Sequence, residues 1–582
     1  MAGLILACAR TTDAAIPADL LRRCALRLGP DNISPRPPLL LEEAGLSRAV
    51  VNPLEVTRVE RSAALLGVLF EDADWSTPGG PAPDGTFAIV RHDASVLELV
   101  TDVFASRTLW YLHTDGLFLA ATSQRAIVML TGEFVPSPEA VTWMAAAGNL
   151  GPSCGWDARL RRVPPATRLR LDRRAWTLSA TREALRYRPR ALPENEHLDR
   201  LRDSVLTACA ELRLNGAQTA LTLSGGYDSR SLLVGLARAE TPVTCLTWGL
   251  KSSLLEARND ASIARQLAAR FGLRHEYLEL DPDDRPVRDG FSRFLLAGEG
   301  RIEDFSGYTD GLDAWRRIVN EGFSVIVRGD SPGWGFPFVP INDFVARSIV
   351  HEMPLVDDYP QGELIHTLGL APQHPPDELF IAEGESLDQY RDRIYNDFEL
   401  PTCMAAFNDV KCSYVEVVNP LFARRVVTVA SELPDELRHL RYGFERVVAD
   451  LLPDVPFATN GADEPLERYL MRAAVEAELI TELSSPEARQ VFSGSGLDTV
   501  VADLERPLSE ARRRLRGRVR GMVPERFVRA VRPIPRPHLD ARALAYRMYI
   551  ASRMATILRG DAAALQAVCD RPGDARRPAA GR

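Results

Sequence analysis

The stretch Ala220-Leu221-Thr222-Leu223-Ser224-Gly225-Gly226-Tyr227-Asp228-Ser229-Arg230 decides the fold of the larger part of this chain. Its first four residues have strand character, and a Ser-Gly-Gly turn follows them. The residues after the turn show a helical pattern, with Leu232, Leu233 and Leu236 on one face. The stretch therefore predicts a strand, a tight loop and a helix in direct succession.

The residue types of this loop suit the binding of phosphate. Gly225 and Gly226 let the backbone turn tightly and bring N–H groups against an anion, and the N-terminus of the next helix adds a favourable field. Ser224 and Ser229 offer hydroxyl donors to phosphate oxygens, and Asp228 stands where a carboxylate can hold Mg²⁺. We therefore expect an anion site with a metal ligand in this loop.

The pattern Ser-Gly-Gly-x-Asp-Ser over residues 224–229 resembles the pyrophosphate loop of ATP pyrophosphatases, which cut ATP between the α- and β-phosphates. The dinucleotide-binding fingerprint and the Walker loop need other spacings, and neither occurs here. An ordinary strand–turn–helix junction with a polar turn is the alternative. The phosphate loop is favoured because the six residues occur between a strand pattern and a helix pattern.

Composition excludes several classes of protein. The 582 residues suffice for about two to four domains, and a net charge of −9 offers no general affinity for nucleic acid. No apolar run reaches the roughly 18 residues of a membrane span. The eight cysteines form no C-x-x-C pair, which predicts a cytoplasmic protein with free thiols and no structural zinc. Only Lys251 and Lys411 are lysines.

Residues 1 to about 190 show short alternating segments that predict antiparallel strands. The segments are Thr86–Val90, Val96–Val100, Leu109–Leu112 and Leu117–Ala120, and Leu4–Ala7 reads as a further strand. The Asp115-Gly116 pair between the last two segments is a strong hairpin signal. A β-rich domain is therefore expected here.

The order of these segments resembles the N-terminal domain of the asparagine synthetase superfamily, through residues 84–90, 99–111 and 163–166. The resemblance implies an N-terminal-nucleophile (Ntn) hydrolase-like αββα sandwich. In glutamine-dependent members the second residue is a nucleophilic cysteine whose own α-amine is the base. Here it is Ala2, and Cys8 is expected in the core of a strand. The domain is therefore expected to be a catalytically silent glutaminase-like domain.

From residue 197 to about 570, helical segments alternate with short apolar runs, as in α/β layer folds. The strands are expected at Thr219–Leu223, Thr241–Trp248 and Val325–Asp330. The resemblance implies a parallel-sheet ATP-pyrophosphatase synthetase domain with a helical C-terminal region. Residues 571–582 are expected to form a disordered tail.

The same resemblance implies ATP and Mg²⁺ as cofactors and suggests which residues hold them. Binding of ATP is expected at Ser224, Gly225, Gly226, Asp228, Ser229, Leu246, Thr247, Trp248 and Gly329. Among these, the backbone of Leu246–Trp248 would hold the adenine. Asp228 and Asp330 are the expected metal ligands, with a capping role as the alternative for Asp330.

Candidate catalytic residues lie further along the chain. Glu416 matches a family glutamate, and Arg441 occupies the place of a family lysine that stabilises charge on the adenylate and the tetrahedral intermediate. Val327 stands where relatives place a substrate-facing Glu or Tyr. Possible replacements for it lie in the polar run 298–308, at Glu299, Glu303, Asp304 and Tyr308, of which Tyr308 is the leading candidate.

The resemblance implies an ATP-dependent, AMP-forming carbon–nitrogen ligase that acts on a small-molecule or peptide carboxylate. Natural-product chemistry such as lasso-peptide cyclisation is the leading interpretation. An ammonia-dependent asparagine synthetase and a degenerate ATP-binding scaffold stay open as alternatives. The run Arg512–Arg542, with eleven arginines, reads as a solvated helix face or as a dock for an acidic peptide or partner domain.

Overall fold

The computed structural model describes residues 3–11, 16–214, 218–282, 285–334, 340, 342–359, 367–452, 454–505 and 539–565. Ala2, the arginine-rich run up to residue 538 and the tail 571–582 lie outside the described residues, so the expectations for them stay predictions. None of the described helices combines the length and apolar character needed to cross a membrane.

The N-terminal part forms two six-stranded sheets, each of them antiparallel. In order of adjacency, the first sheet consists of β10 (Arg161–Arg162), β8 (Trp110–His113), β9 (Leu117–Ala121), β1 (Gly3–Ala9), β3 (Leu46–Val51) and β2 (Leu39–Glu43). The second consists of β12 (Thr177–Arg182), β11 (Thr167–Asp172), β7 (Val96–Thr101), β6 (Gly85–His92), β5 (Ala63–Leu69) and β4 (Arg58–Val59). All five strands expected from the alternating segments are confirmed.

Alternation along the strands explains why the two sheets pack face to face. Leu4, Leu6 and Cys8 of β1 point into the core between the sheets, whereas Ile5 and Ala7 point to the outer face. Helices α1 (Ala18–Arg27) and α2 (Gln124–Thr131) cover that outer face. The outer face of the second sheet packs against Trp75. The sandwich expected from the sequence is therefore present.

The remaining strands form one five-stranded parallel sheet. Its order is β15 (His275–Glu279), β14 (Thr244–Gly249), β13 (Thr219–Thr222), β16 (Val325–Val327) and β17 (Glu416–Val418). Leu221, Cys245 and Val327 point to one face and Ala220, Leu246 and Ile326 to the other, and both faces are buried. The parallel pairing of the first two strands expected here, β13 and β14, is confirmed.

Helices cover both faces of this sheet, which makes the region an α/β layer fold. The helices before β17 are α3 (Pro138–Ala147), α4 (Glu194–Ala210), α5 (Tyr227–Arg238), α6 (Asp260–Arg270), α7 (Val287–Gly298), α8 (Asp313–Asn320), α9 (Asp343–Val345), α10 (Leu387–Ile394) and α11 (Ala405–Cys412). Those after it are α12 (Arg424–Glu432), α13 (Asp435–Arg438), α14 (Tyr442–Leu451), α15 (Leu466–Tyr469), α16 (Ala473–Leu483), α17 (Gly494–Glu505) and α18 (Ala541–Ala564). The helical character expected after residue 465 is confirmed for the described residues.

The sandwich and the α/β region meet along a surface that we call the junction. Helix α18 packs against α2 and α3, and its Asp561 accepts hydrogen bonds from Arg125 at 2.6 and 3.2 Å. Arg301 donates to Thr108 at 2.9 Å and to Asp409 at 2.6 Å. Charged pairs from distant parts of the chain thus hold the two regions together. The expected domain limits, 1–190 and 197–570, stay a prediction.

Candidate active site

A cavity of about 410 Å³ opens at the carboxyl ends of β13, β14 and β16, where α/β sheets usually bind ligands. Strand β13 ends at Thr222, so the loop that follows it faces this edge. The cavity is lined by Ser224, Gly226, Asp228 and Ser229 of that loop, by Leu246, Thr247 and Trp248 of β14, and by Arg328 and Gly329 after β16. Eight of the predicted ATP-binding residues therefore come together at one place.

Hydrogen bonds hold the loop 224–229 in a closed turn. The Ser224 N–H donates to Ser229 Oγ at 3.1 Å, and the two hydroxyl oxygens lie 3.0 Å apart. The N–H of Gly226 donates to Ser224 Oγ at 3.2 Å. Helix α5 begins at Tyr227, so its N-terminus points into the same space. This arrangement can present hydroxyls and a helix N-terminus to an anion.

Gly225 is the exception among the predicted binding residues, because it does not line the cavity. Its N–H donates to Asp260 Oδ1 at 2.7 Å, so that donor already has an anionic partner. A side chain at this position would clash with Ala458 and lie 3.0 Å from the Cβ of Ile263. Gly225 is needed for close packing behind the loop, and its predicted contact with ATP is corrected.

Gly329 lets two loops approach one another. A Cβ on this residue would lie 3.0 Å from the carbonyl carbon of Asp228, tighter than ordinary van der Waals contact. The glycine thus brings the end of β16 against the phosphate loop.

Asp330, expected as the second metal ligand, does not line the cavity. It is 7% exposed, and both of its oxygens accept from Nε of Arg328, at 2.9 and 3.1 Å. Arg328 itself lines the cavity. Asp330 therefore fixes a cavity arginine, and the expectation that it faces a metal there is corrected.

Arg441 contacts the phosphate loop from outside the cavity lining. Its Nη2 donates to both oxygens of Asp228, at 2.9 and 2.8 Å. Leu440 and Arg441 both have positive φ, 52° and 60°, a backbone conformation that non-glycine residues rarely adopt. Such local strain is common at functional sites. The structure thus joins the predicted catalytic arginine to the predicted metal ligand.

The four acidic and tyrosine candidates of the run 298–308 separate into two groups. Glu299 accepts from Ser123 Oγ and from backbone N–H groups at the start of α2, and Glu303 pairs with Arg547 at 2.6 and 2.7 Å. Asp304 and Tyr308 line the cavity. Glu299 and Glu303 therefore serve the junction, and Tyr308 stays the candidate that faces a substrate.

Glu416 lies at the junction and not in the cavity. It is fully buried, and its Oε2 accepts from Nη2 of Arg107 in the sandwich at 3.2 Å. This is a correction to its predicted catalytic role. The carboxylate is held by a sandwich arginine and does not line the cavity.

Lys411 is the functional candidate that the sequence reasoning missed. It extends from α11, is 2% exposed, and lines the same cavity as the phosphate loop. Its Nζ donates to the carbonyl oxygen of Phe407 at 3.0 Å. Its rarity is a sequence signal that could have singled it out, because the chain contains only two lysines.

These residues fit ATP together with Mg²⁺. Ser224, Ser229 and Arg328 can donate to phosphate oxygens, and Asp228 offers the hard oxygen ligand that Mg²⁺ takes. Within the described residues, no group of three or more His, Cys, Asp or Glu side chains could hold a metal alone. Mg²⁺ would therefore need phosphate oxygens beside Asp228, as is usual for nucleotide-bound Mg²⁺.

Comparison with known proteins gives one family match. The asparagine synthase family model matches residues 200–295, which include the phosphate loop and β13–β15. This part of the chain is therefore similar to the asparagine synthase family. The match supports ATP-dependent amide-ligase chemistry at the level of the family. A search of curated protein sequences finds no match.

Solved structures give only distant similarities. A glutamine phosphoribosylpyrophosphate amidotransferase from B. subtilis is 10% identical, over 42% of this chain and 65% of that one, with a TM-score of 0.19. NMN synthetase from Francisella tularensis is 13% identical over 38% and 94% of the two chains, with a TM-score of 0.17. An allosteric regulatory enzyme of purine biosynthesis is 12% identical over 70% and 95%, with a TM-score of 0.21. These low scores support no further argument.

Proposed function

We propose that this protein is an ATP-dependent synthetase that forms an amide bond through an acyl-adenylate and releases AMP and pyrophosphate. The convergence of Ser224, Asp228, Ser229 and Trp248 on one cavity is the observation that supports it. ATP use and free thiols at all seven described cysteines favour a cytoplasmic setting.

Each half-reaction has residues suited to it. In the first, a substrate carboxylate attacks the α-phosphate while Ser224, Ser229 and the N-terminus of α5 hold the pyrophosphate end. Mg²⁺ at Asp228 would offset charge on the phosphate oxygens. In the second, an amine attacks the acyl carbon and AMP leaves. Arg328 lines the cavity and is available to anionic oxygens during either step.

The amine does not come from glutamine in this proposal. Cys8, the cysteine of strand β1, is fully buried between the two sheets. Burial also raises the pKa of the Cys8 thiol, which disfavours the reactive thiolate. The amine would come from a second substrate, from ammonia, or from the substrate itself, as in lasso-peptide cyclisation.

An ammonia-dependent asparagine synthetase is the second candidate function, and the position of Lys411 supports it. In sequence, Arg441 takes the place of the family lysine, but Lys411 lines the cavity from α11. Val327 still argues against it, because its side chain is fully buried in β16 and cannot touch a substrate.

The test is the cleavage of ATP with defined substrates. Labelled ATP, with Mg²⁺, is incubated with aspartate plus ammonium, or with a peptide that has a free N-terminal amine and an acidic side chain. We expect AMP and pyrophosphate with one substrate set, and loss of both products with Asp228→Ala. Asp450→Ala, on the exposed face of α14, is the matched control. Unchanged turnover in Asp228→Ala would contradict the phosphate-loop assignment. Binding of Mg-ATP by the wild type in calorimetry, without pyrophosphate release from any substrate set, would point to the ATP-binding scaffold.

A further inference from the structure

We propose that Lys411 is the base that accepts a proton from the attacking amine when the amide forms. This inference rests on the proposed function and adds a catalytic residue to it. It also assigns the two cations different roles, with Lys411 in proton transfer and Arg441 in charge stabilisation.

The first argument is the position of Lys411 relative to the phosphate loop. Its side chain lines the same cavity as Ser224, Asp228 and Ser229, so it faces the space that the nucleotide would share with a substrate. Met404 and Phe407, from the same stretch of chain, line that wall as well. A base that serves the second half-reaction must face this space, and Lys411 does.

The second argument is the lack of an ionic partner. Within the described residues no carboxylate lies within ion-pair distance of Lys411 Nζ, and one backbone carbonyl, that of Phe407, accepts from it. By contrast, the buried Arg107 and Arg301 each have a carboxylate partner. A buried ammonium with no counter-ion is expensive, which favours the neutral amine. A neutral amine has a lone pair and can accept a proton.

The surrounding charges support this state. The groups that face Lys411 are Arg328 and Asp330 from the end of β16, Asp304 and Tyr308 from the run after α7, and Cys412 on its own helix. Burial lowers the pKa of the Lys411 ammonium well below its usual value, and Arg328 lowers it further, against the opposing effects of Asp330, Cys412 and Asp304. Arg328 is itself held in place by Asp330.

The backbone before Lys411 is unusual. The π-helical segment Tyr395–Met404, with Pro401 inside it, joins α10 to α11 without a break. Proline has no N–H to give to the helix, and π-helical segments occur frequently at functional sites. Phe407 and Lys411 lie on α11, directly after this segment.

The step balances without another reactant. The amine nitrogen forms a bond to the acyl carbon, and its proton passes to Lys411 Nζ. The bond between the acyl carbon and the phosphate oxygen then breaks, and AMP leaves with that electron pair. The Lys411 ammonium returns its proton to solvent before the next cycle. Arg441 is unsuited to this task because a guanidinium stays protonated.

The first experiment uses the presence of only two lysines. Trace acetic anhydride labels the amines of the full-length protein across a range of pH, and mass spectrometry follows Lys411 and the exposed Lys251 separately. We expect the labelling of Lys411 to reach its plateau at a lower pH than that of Lys251, and Mg-ATP to slow it. A shared midpoint for the two lysines would overturn the proposal.

The second experiment separates the half-reactions with Lys411→Met, Lys411→Arg and the control Lys251→Arg. With the carboxylate that supports pyrophosphate release in the wild type, we expect both Lys411 variants to retain Mg-ATP binding and pyrophosphate–ATP exchange. Amide formation should fall about 10²- to 10⁴-fold, the range typical of general base catalysis. Hydroxylamine, which is unprotonated at neutral pH, should still capture the acyl-adenylate.

The outcomes distinguish this proposal from the proposed function. Amide formation by Lys411→Arg at close to the wild-type rate would show that charge alone matters and would overturn the base. Equal loss of Mg-ATP binding, exchange and amide formation in Lys411→Met would show a structural role and also overturn it. If the wild type shows no pyrophosphate–ATP exchange with any substrate set, the proposed function is overturned, and the role of Lys411 as a base is overturned with it.

Discussion

The buried arginines of the junction and the buried lysine of the cavity wall differ in their ionic partners. At the junction, Arg107 pairs with Glu416, and Arg301 pairs with Asp409. In the cavity wall, Lys411 is as deeply buried and has no carboxylate within ion-pair distance among the described residues. A carboxylate partner keeps a buried cation charged, whereas burial without such a partner favours the neutral amine of a lysine, which can accept a proton.

Residues that are close in sequence can belong to different regions, one at the junction and the other in the cavity. Glu303 pairs with Arg547 of α18, and the next residue, Asp304, lines the cavity. Lys411 faces the cavity, and Glu416 at the start of β17 faces the sandwich. Residue type alone therefore does not separate the two roles.

The largest expected effect comes from breaking a junction pair. Glu416→Ala leaves Arg107 buried without its carboxylate, which should lower the free energy of unfolding by about 3–5 kcal/mol. Urea unfolding measures this, with Glu416→Gln as the variant that preserves the shape. Activity per folded molecule should stay near that of the wild type, and a specific loss of activity in a stable Glu416→Gln would restore its predicted catalytic role.

Arg441→Ala should affect catalysis more than folding. Removal of the guanidinium that holds Asp228 should cost about 2.7–4 kcal/mol of transition-state stabilisation, the range for one lost oxyanion donor. Steady-state kinetics measure this, and Mg-ATP binding should weaken much less because Ser224 and Ser229 remain. Arg441→Lys should recover part of the rate, limited by the loss of the guanidinium fork. A wild-type rate in Arg441→Ala would make the residue purely structural.

Lys411→Met should change the free energy of unfolding less than Glu416→Ala does, and in the opposite direction. Burial lowers the pKa of Lys411 in the folded protein, whereas in the unfolded chain this pKa is about 10.4. Between these two pKa values the unfolded chain binds one more proton than the folded protein. The lysine therefore destabilises the wild type at neutral pH, and this penalty shrinks as the pH rises towards the pKa of the unfolded chain. Thermal unfolding should show Lys411→Met more stable than the wild type at pH 7, with a smaller difference at pH 9.5. A difference independent of pH would mean that Lys411 is charged in the folded state.

The smallest expected effect is at Cys8. The thiol lies in the core between the sheets, so Cys8→Ala should change neither the amide-forming activity nor the release of glutamate from glutamine, which we expect to be absent with or without ATP. An amino-acid assay for glutamate measures this. Glutamate production by the wild type that disappears in Cys8→Ala would identify Cys8 as a nucleophile.

The sequence by itself determined the features that depend on adjacent residues. The loop 224–229 needs only a strand before it and a helix after it, so its six residues predicted its place at the edge of the sheet. The hairpin at Asp115-Gly116 and the strands on either side follow from period-two alternation in the same way.

Only the tertiary structure decided which charged side chains meet. Lys411 reaches the cavity because α11 packs against the parallel sheet, and Glu416 is withdrawn from it because β17 places that carboxylate beside Arg107 of the sandwich. Gly225 packs on Ala458, and Arg441 lies on Asp228, although both partners are remote in sequence. Local patterns reflect backbone geometry over a few residues, whereas the ionisation and reactivity of a side chain depend on burial and on partners that folding brings from elsewhere in the chain.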